Sequence, residues 1–153
     1  MKKSIAVIGA GFVGGSLSTI FAEKGLTVYS FDKAKFIPPP GAYAPAKSLE
    51  ELVAHCENDT TSSFSGIYFV CLPTPMYEDG SADLSIVESV LHKLAAIPGE
   101  RVAVVKSTVP PGSTETWNKI YESTGLRVVF NPEFLTEANA LDDMRNQNRI
   151  ILG

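Results

Sequence analysis

The feature that most constrains this chain is Gly9-Ala10-Gly11-Phe12-Val13-Gly14, a GxGxxG run between a short apolar stretch, Ser4-Ile5-Ala6-Val7-Ile8, and a longer amphipathic one. Alone the spacing says little, because glycines are common in turns. The setting makes it specific. The run follows a predicted strand and opens a predicted helix, and Asp32 stands at the end of the next strand, 18 residues past the last glycine. In such a unit Gly9 allows the tight turn, Gly11 lets backbone approach a pyrophosphate, and Gly14 lets the helix pack close to the strand. The helix start at Phe12 and Val13 then offers free N–H groups and a partial positive charge to the phosphates. Asp32 is placed to accept hydrogen bonds from the adenosine ribose, and as a carboxylate it opposes a 2′-phosphate, so the expected cofactor is NAD rather than NADP. Lys33 and Lys35 work the other way, as cations beside the same position.

Along the rest of the chain, short β-branched runs alternate with longer amphipathic ones, the pattern of stacked βαβ units. Strands are expected near 4–8, 26–31, 66–71, 101–106, 126–130 and 149–152, most of them without polar alternation, as suits strands covered on both faces. Helices are expected at about 12–24, 47–57, 83–96 and 113–123, and a further one at about 134–145. Gly25 and Gly125 suit helix C-termini, Asp83 and Ser113 suit N-caps, and Pro98-Gly99 stops the 83–96 helix. The stretch Ile37-Pro38-Pro39-Pro40-Gly41-Ala42-Tyr43-Ala44-Pro45 reads as a loop. The fold expected is α/β: a doubly wound, mainly parallel Rossmann-like sheet of about six strands with helices on both faces, forming one domain over 1–153.

Composition narrows the partners. With 153 residues, 44% hydrophobic, the chain is long enough for a single core without disulfides or structural metal. The formal net charge of −4 argues against nucleic acid or an anionic membrane surface, so phosphate must be bound locally. No apolar stretch is long enough to span a bilayer. Cys56 and Cys71 form no CxxC pair and, like His55 and His92, belong to no metal-ligand spacing, so no metal site is expected and a cytoplasmic location is.

Three further motifs fall just beyond predicted strands, where a parallel sheet presents its ligand crevice. They are Leu72-Pro73-Thr74-Pro75 with Asp79-Gly80-Ser81-Ala82-Asp83-Leu84-Ser85, then Lys106-Ser107-Thr108-Val109-Pro110-Pro111-Gly112-Ser113, then Asn131-Pro132-Glu133-Phe134-Leu135-Thr136-Glu137. Together with the glycine run they resemble the UDP-glucose/GDP-mannose 6-dehydrogenase family, almost end to end, over its N-terminal dinucleotide-binding part. The resemblance implies NAD-dependent, four-electron oxidation of a nucleotide sugar's C6 alcohol to a carboxylate. Two hydrides leave in turn, the second from a thiohemiacetal on a cysteine. It implies that Thr108 orients a water or the substrate oxygen, that Glu137 acts in acid/base chemistry, and that Glu133 helps shape the sugar site. Thr74, Thr108 and Glu137 would also lie against the cofactor. Family members continue into a central helical region and a sugar-binding domain, and the cysteine-bearing Gly-rich motif occurs nowhere in these 153 residues. The chain departs from the family's last motif at Ala138, where Gly is usual, and at Gln147, where Pro is usual.

By spacing alone, Glu133 and Glu137 share a face only on a helix, which Asn131-Pro132 could start. The alternative is that both acids merely favour a helix N-terminus. Cys71 reads as a core residue, Cys56 as structural, and Trp117 and Tyr121, four apart, as packing against the sheet. The functional alternatives are three: the cofactor domain of a longer nucleotide-sugar dehydrogenase, a stand-alone NAD-binding regulatory module, or one half of a split enzyme. A nucleotide-sugar substrate is expected only together with the missing domain. The partner is then either a C-terminal-half chain or a second copy, the latter favoured by an apolar end, Ile150-Ile151-Leu152.

Overall fold

The computed structural model describes residues 4–34, 45–57 and 66–153. Lys35 and most of the triple-proline stretch lie outside the described residues. Five strands form one parallel sheet in the order β2-β1-β3-β4-β5: β1 (Ser4–Ile8), β2 (Thr27–Phe31), β3 (Ile67–Val70), β4 (Arg101–Val105) and β5 (Leu126–Phe130). Each lies within a residue or two of the expected run. The register is level at the carboxyl ends, with Ile8 opposite both Phe31 and Val70, Val70 opposite Val105, and Val105 opposite Phe130. The residues that follow, Gly9, Asp32, Cys71, Lys106 and Asn131, therefore start the loops on one rim. The chain reverses its direction of winding between β1 and β3, and such a switch point opens the crevice in which α/β folds bind ligands.

Helices cover both faces, so β1 has no exposed residue. On one face, α2 (Leu49–Glu57), α3 (Ser85–Ala95) and α4 (Ser113–Ile120) pack Leu52, Leu91, Leu94 and Trp117 against Ala6, Ile8, Tyr68 and Val105. On the other, α1 (Phe12–Glu23) and α5 (Ala140–Arg145) pack Leu17, Ile20 and Met144 against Ile5, Val7 and Val28. Full burial of each Val, Leu or Ile side chain stabilises by roughly 1.5–3 kcal/mol. Trp117 and Tyr121 are core residues, as their spacing indicates. Gly25 closes α1 with Leu26 N–H donating to Phe21 O at 3.0 Å. At α3 the cap sits one residue further out than usual: Asp83 Oδ1 accepts from Ser85 N–H at 2.9 Å. Ser113 is not a cap; it is the first residue of α4, after Gly112, and its hydroxyl donates to Pro110 O.

Two further expectations need correction. The stretch 149–152 is not a buried strand: Ile150, Ile151 and Leu152 are all exposed. It instead runs beside β5, where Phe130 and Gly153 exchange both backbone hydrogen bonds, at 2.6 and 2.8 Å. Further along that edge, the Asn118 side chain donates to Val128 O and accepts from Val128 N–H, each at 2.8 Å. The expected helix over 134–145 is also shorter. Residues 131–136 are irregular, Glu137–Asn139 make a single 3-10 turn, and only then does α5 begin. Asn131 N–H is held by Val105 O at 2.9 Å, which keeps this stretch running on from the sheet rather than coiling at once.

Candidate functional site

The turn after β1 is fixed by close backbone packing. Gly9 has φ 92°, and its N–H donates to Phe31 O at 2.8 Å, while Cys71 N–H donates to Ile8 O at 2.8 Å. A Cβ on Gly9 would collide with Cys71 O, and one on Gly14 with Gly9 O. Helix α1 can therefore sit directly on the turn only because both positions are glycine. At Gly11 an added Cβ would meet nothing within 4 Å, so the loop backbone there is open to an approaching group. No side chain caps α1, which leaves its first N–H donors free for an anion. These features fit a pyrophosphate.

Asp32 already has backbone partners within the chain. Its Oδ2 accepts from Ala10 N–H at 2.6 Å and its Oδ1 from Ala34 N–H at 2.8 Å, so the carboxylate ties the glycine turn to the end of β2. A carboxylate has about four lone-pair directions, which leaves about two for ribose hydroxyls. Across the switch point, Leu72 N–H donates to Ser107 Oγ at 3.0 Å, and Thr74 Oγ1 donates to Thr108 O at 2.8 Å. The loops after β3 and β4 are thus laced together.

A cleft of about 1140 Å³ runs along this rim. It brings together Gly9, Gly11, Phe12, Val13, Asp32, Lys33, Thr74, Thr108, Glu133 and Glu137, while Gly14 lies beneath, packed on Gly9. Phe12 stands at the mouth, 61% exposed. Glu133 and Glu137 reach the cleft without sharing a helix face, because only Glu137 lies in a helical turn. They also differ in surroundings: Glu137 is exposed, whereas the Glu133 side chain is 7% exposed.

Sequence reasoning missed the group that faces Glu133. Lys106, its side chain 3% exposed, places Nζ 2.6 Å from Glu133 Oε2 and donates to Asn131 Oδ1 at 2.9 Å. The contact to Oε2 is an ion pair without hydrogen-bond alignment, whereas Oε1 accepts from Phe134 N–H at 3.0 Å and Gln147 Nε2 at 2.8 Å. The available signal was a lysine closing the apolar run Val102-Ala103-Val104-Val105, where a cation is costly to bury unless paired. Cys71 lines the same cleft, yet burial pushes its thiol up to about 12, with Lys106 opposing the shift and Glu133 adding to it. It stays a thiol at neutral pH and is a poor nucleophile. Among the described residues no group of three or more His, Cys, Asp or Glu could hold a metal, and no helix is long and apolar enough to cross a membrane.

The sequence model described as UDP-glucose/GDP-mannose dehydrogenase family, NAD binding domain, matches residues 41–153. The chain belongs to this family. Its cofactor is NAD, in keeping with the open glycine turn and the carboxylate at Asp32. A putative UDP-glucose 6-dehydrogenase of Bacillus subtilis is 34% identical over 170 residues, covering 97% of this chain and 39% of the relative. The UDP-glucose 6-dehydrogenase of Pseudomonas aeruginosa is 34% identical over 174 residues, covering 97% and 38%. Among solved structures, a UDP-glucose dehydrogenase from Pyrobaculum islandicum superposes with TM-score 0.81 at 30% identity, covering 100% of this chain and 41% of that one. A GDP-mannose dehydrogenase from Pseudomonas aeruginosa shares the fold, with TM-score 0.75 at 20% identity over 97% of this chain and 40% of that one. This NAD-binding dehydrogenase domain thus spans about two fifths of the length of these relatives.

Proposed function

We propose that residues 1–153 act as a single cofactor domain in the NAD-dependent oxidation of a nucleotide sugar's primary alcohol, at C6 of UDP-glucose or a close analogue, to the carboxylate. The observation that carries this reading is one cleft shared by the glycine turn, Asp32, Thr74, Thr108, Glu133 and Glu137, in a chain of this family. NAD, when bound, supplies the hydride acceptor. The uncapped start of α1 holds the pyrophosphate against Gly9 and Gly11, with Gly14 letting the helix approach. Asp32 accepts from the ribose, and Lys33 flanks the same end. Thr74 and Thr108, from the other half of the sheet, line the far part of the cleft, and Thr108 orients a water or the substrate oxygen there. Glu137, exposed at the cleft edge, is placed to move a proton; Glu133, pinned by Lys106, shapes the sugar side. Since neither Cys56 nor Cys71 is in a disulfide, we assign the chain to the cytosol.

These residues bind and orient, but they do not complete the chemistry. Cys71 is held as a thiol and Cys56 is buried in the core, so neither supplies the thiolate that a covalent second oxidation requires. Holding the alcohol carbon against the oxidant is worth up to about 7–11 kcal/mol, and the sugar must be gripped from beyond this cleft to gain it. The test is NADH formation at saturating NAD with UDP-glucose and with GDP-mannose, using the 153-residue chain alone and mixed with a polypeptide carrying the family's cysteine-bearing half. Turnover only on mixing is expected. Robust turnover by the chain alone would refute the division of labour, and NAD binding with silence in both assays would favour a regulatory NAD-binding module.

A further inference from the structure

We propose that Ser107 and Thr74 are positioning residues for Thr108: their hydroxyls form a reciprocal latch across the switch point that sets the angle of the Thr108 loop over the nicotinamide end of the cleft. The inference rests on the reading that Thr108 faces the reacting centre, with the ADP half of the cofactor held between Asp32 and the glycine turn. Strands β3 and β4 stay paired as far as Lys106 N–H, which donates to Val70 O at 2.9 Å. A continued parallel ladder would next send Leu72 N–H to Lys106 O. It goes instead to the hydroxyl of Ser107, at 3.0 Å. Two residues on, the sense reverses, and the Thr74 hydroxyl donates to Thr108 O at 2.8 Å. Each loop thus gives one side chain to the backbone of the other.

Both loops are stiff, so the latch governs their mutual angle rather than their internal shape. Pro73 and Pro75 lock their own φ and bias Leu72 and Thr74 away from helical backbone, and Pro110 does the same to Val109. Ser107 is buried, whereas its neighbour Thr108 is exposed and lines the cleft. The buried hydroxyl therefore holds the base of the pair of loops and the Thr74 hydroxyl holds their tip. With both bonds made, Thr108 has one direction. Loss of either leaves a single tie beyond the sheet, about which the Thr108 loop can turn. Because the Thr74 proton is committed to Thr108 O, that hydroxyl meets a ligand in the cleft as an acceptor and not as a donor.

The experiment uses the 153-residue chain with Ser107→Ala, Thr74→Val, the two combined, and Thr74→Ser. The readouts are affinity for NAD and for ADP-ribose by titration calorimetry, and exchange of the Leu72 amide proton without ligand. ADP-ribose lacks the nicotinamide, so it reports on the fold and the Asp32 end. Each single variant should weaken NAD roughly 2- to 12-fold, the scale of one neutral hydrogen bond, and leave ADP-ribose unchanged. The double variant should bind NAD about as weakly as either single, because one lost tie already frees the loop. Thr74→Ser, which keeps the hydroxyl, should restore NAD binding. Leu72 exchange should quicken in Thr74→Val, although its own acceptor is untouched there, and this decides the matter if Ser107→Ala fails to fold. Equal losses for NAD and ADP-ribose, single losses that simply add, or Leu72 exchange in Thr74→Val identical to wild type would each overturn the proposal. Failure of turnover on mixing with the cysteine-bearing half would strike the dehydrogenase reading instead and leave this comparison standing.

Discussion

Replacing Asp32 tests the cofactor site and its architecture together. In Asp32→Ala, Ala10 N–H and Ala34 N–H both lose their acceptor, and any hydrogen bond from the ribose is lost as well. Hydrogen bonds to charged groups contribute about 1.5–3 kcal/mol, so loss of the ribose contact alone should weaken NAD roughly 10- to 150-fold. The orphaned Ala10 donor, in a partly buried turn, adds a stability cost of about 1–3 kcal/mol. For a chain of this size that lowers the melting temperature by roughly 2–4 °C per kcal/mol. Asp32→Asn separates the effects, because its one carbonyl oxygen can serve Ala10 or Ala34 but no longer both with full charge. It should fall between wild type and alanine in stability. In both variants NADP should approach NAD in affinity, since the repulsion of the 2′-phosphate is gone. Titration calorimetry with NAD and NADP, paired with thermal melts, measures all of this. Equal NAD and NADP affinity in the wild type, unchanged in Asp32→Ala, would refute the argument.

Gly14→Ala should unfold the domain or abolish NAD binding, because its Cβ meets Gly9 O. Gly15→Ala, whose Cβ would lie 3.4 Å from Ala10 O, should be neutral or raise the melting temperature, since alanine favours a helix interior by about 0.5–1 kcal/mol. Stability should fall in alkali. Burial raises Cys71 from 9.0 and Tyr68 from 10.0, each to about 12, so the unfolded chain ionises first; this stability is full below pH 9 and is lost as pH climbs to about 12. A melting temperature constant across that range, or unaltered there by Cys71→Ala, would contradict it. The exposed Ile150, Ile151 and Leu152 should promote concentration-dependent self-association, and light scattering showing a strict monomer at high concentration would count against it.

The sheet was largely legible because buried parallel strands announce themselves as β-branched runs, and the glycine turn because its neighbours on both sides fit the same unit. Once the register is level, Asp32 and the loops bearing Thr74, Thr108 and Glu133 are bound to meet. What pattern could not settle was decided by tertiary contacts. Ile150-Ile151-Leu152 reads like a core strand, yet the stretch is exposed beside β5, and apolar character alone does not say which side a partner lies on. Asn131-Pro132 has the chemistry of a helix start, but Val105 O and Ile151 O hold Asn131 in line with the sheet. Ser113 has the chemistry of a cap, but Gly112 takes that place. The Lys106–Glu133 pair spans 27 residues of sequence and becomes visible only when β4 and β5 lie side by side.

The Asn118 amide bears on how the molecule behaves in a crowd. A carboxamide carries the same donor and acceptor as a peptide unit, and here it occupies both outward groups of Val128, just as Gly153 occupies those of Phe130. An open edge strand offers its unpaired backbone to any passing chain, which is how sheets recruit strangers and grow into aggregates. On the β5 side that invitation is withdrawn by the Asn118 side chain and the Gly153 backbone rather than by charge or proline. Asn118→Leu would leave the core packing in place while exposing the Val128 ladder, so its first symptom should be concentration-dependent clumping of folded molecules, ahead of any loss of the fold.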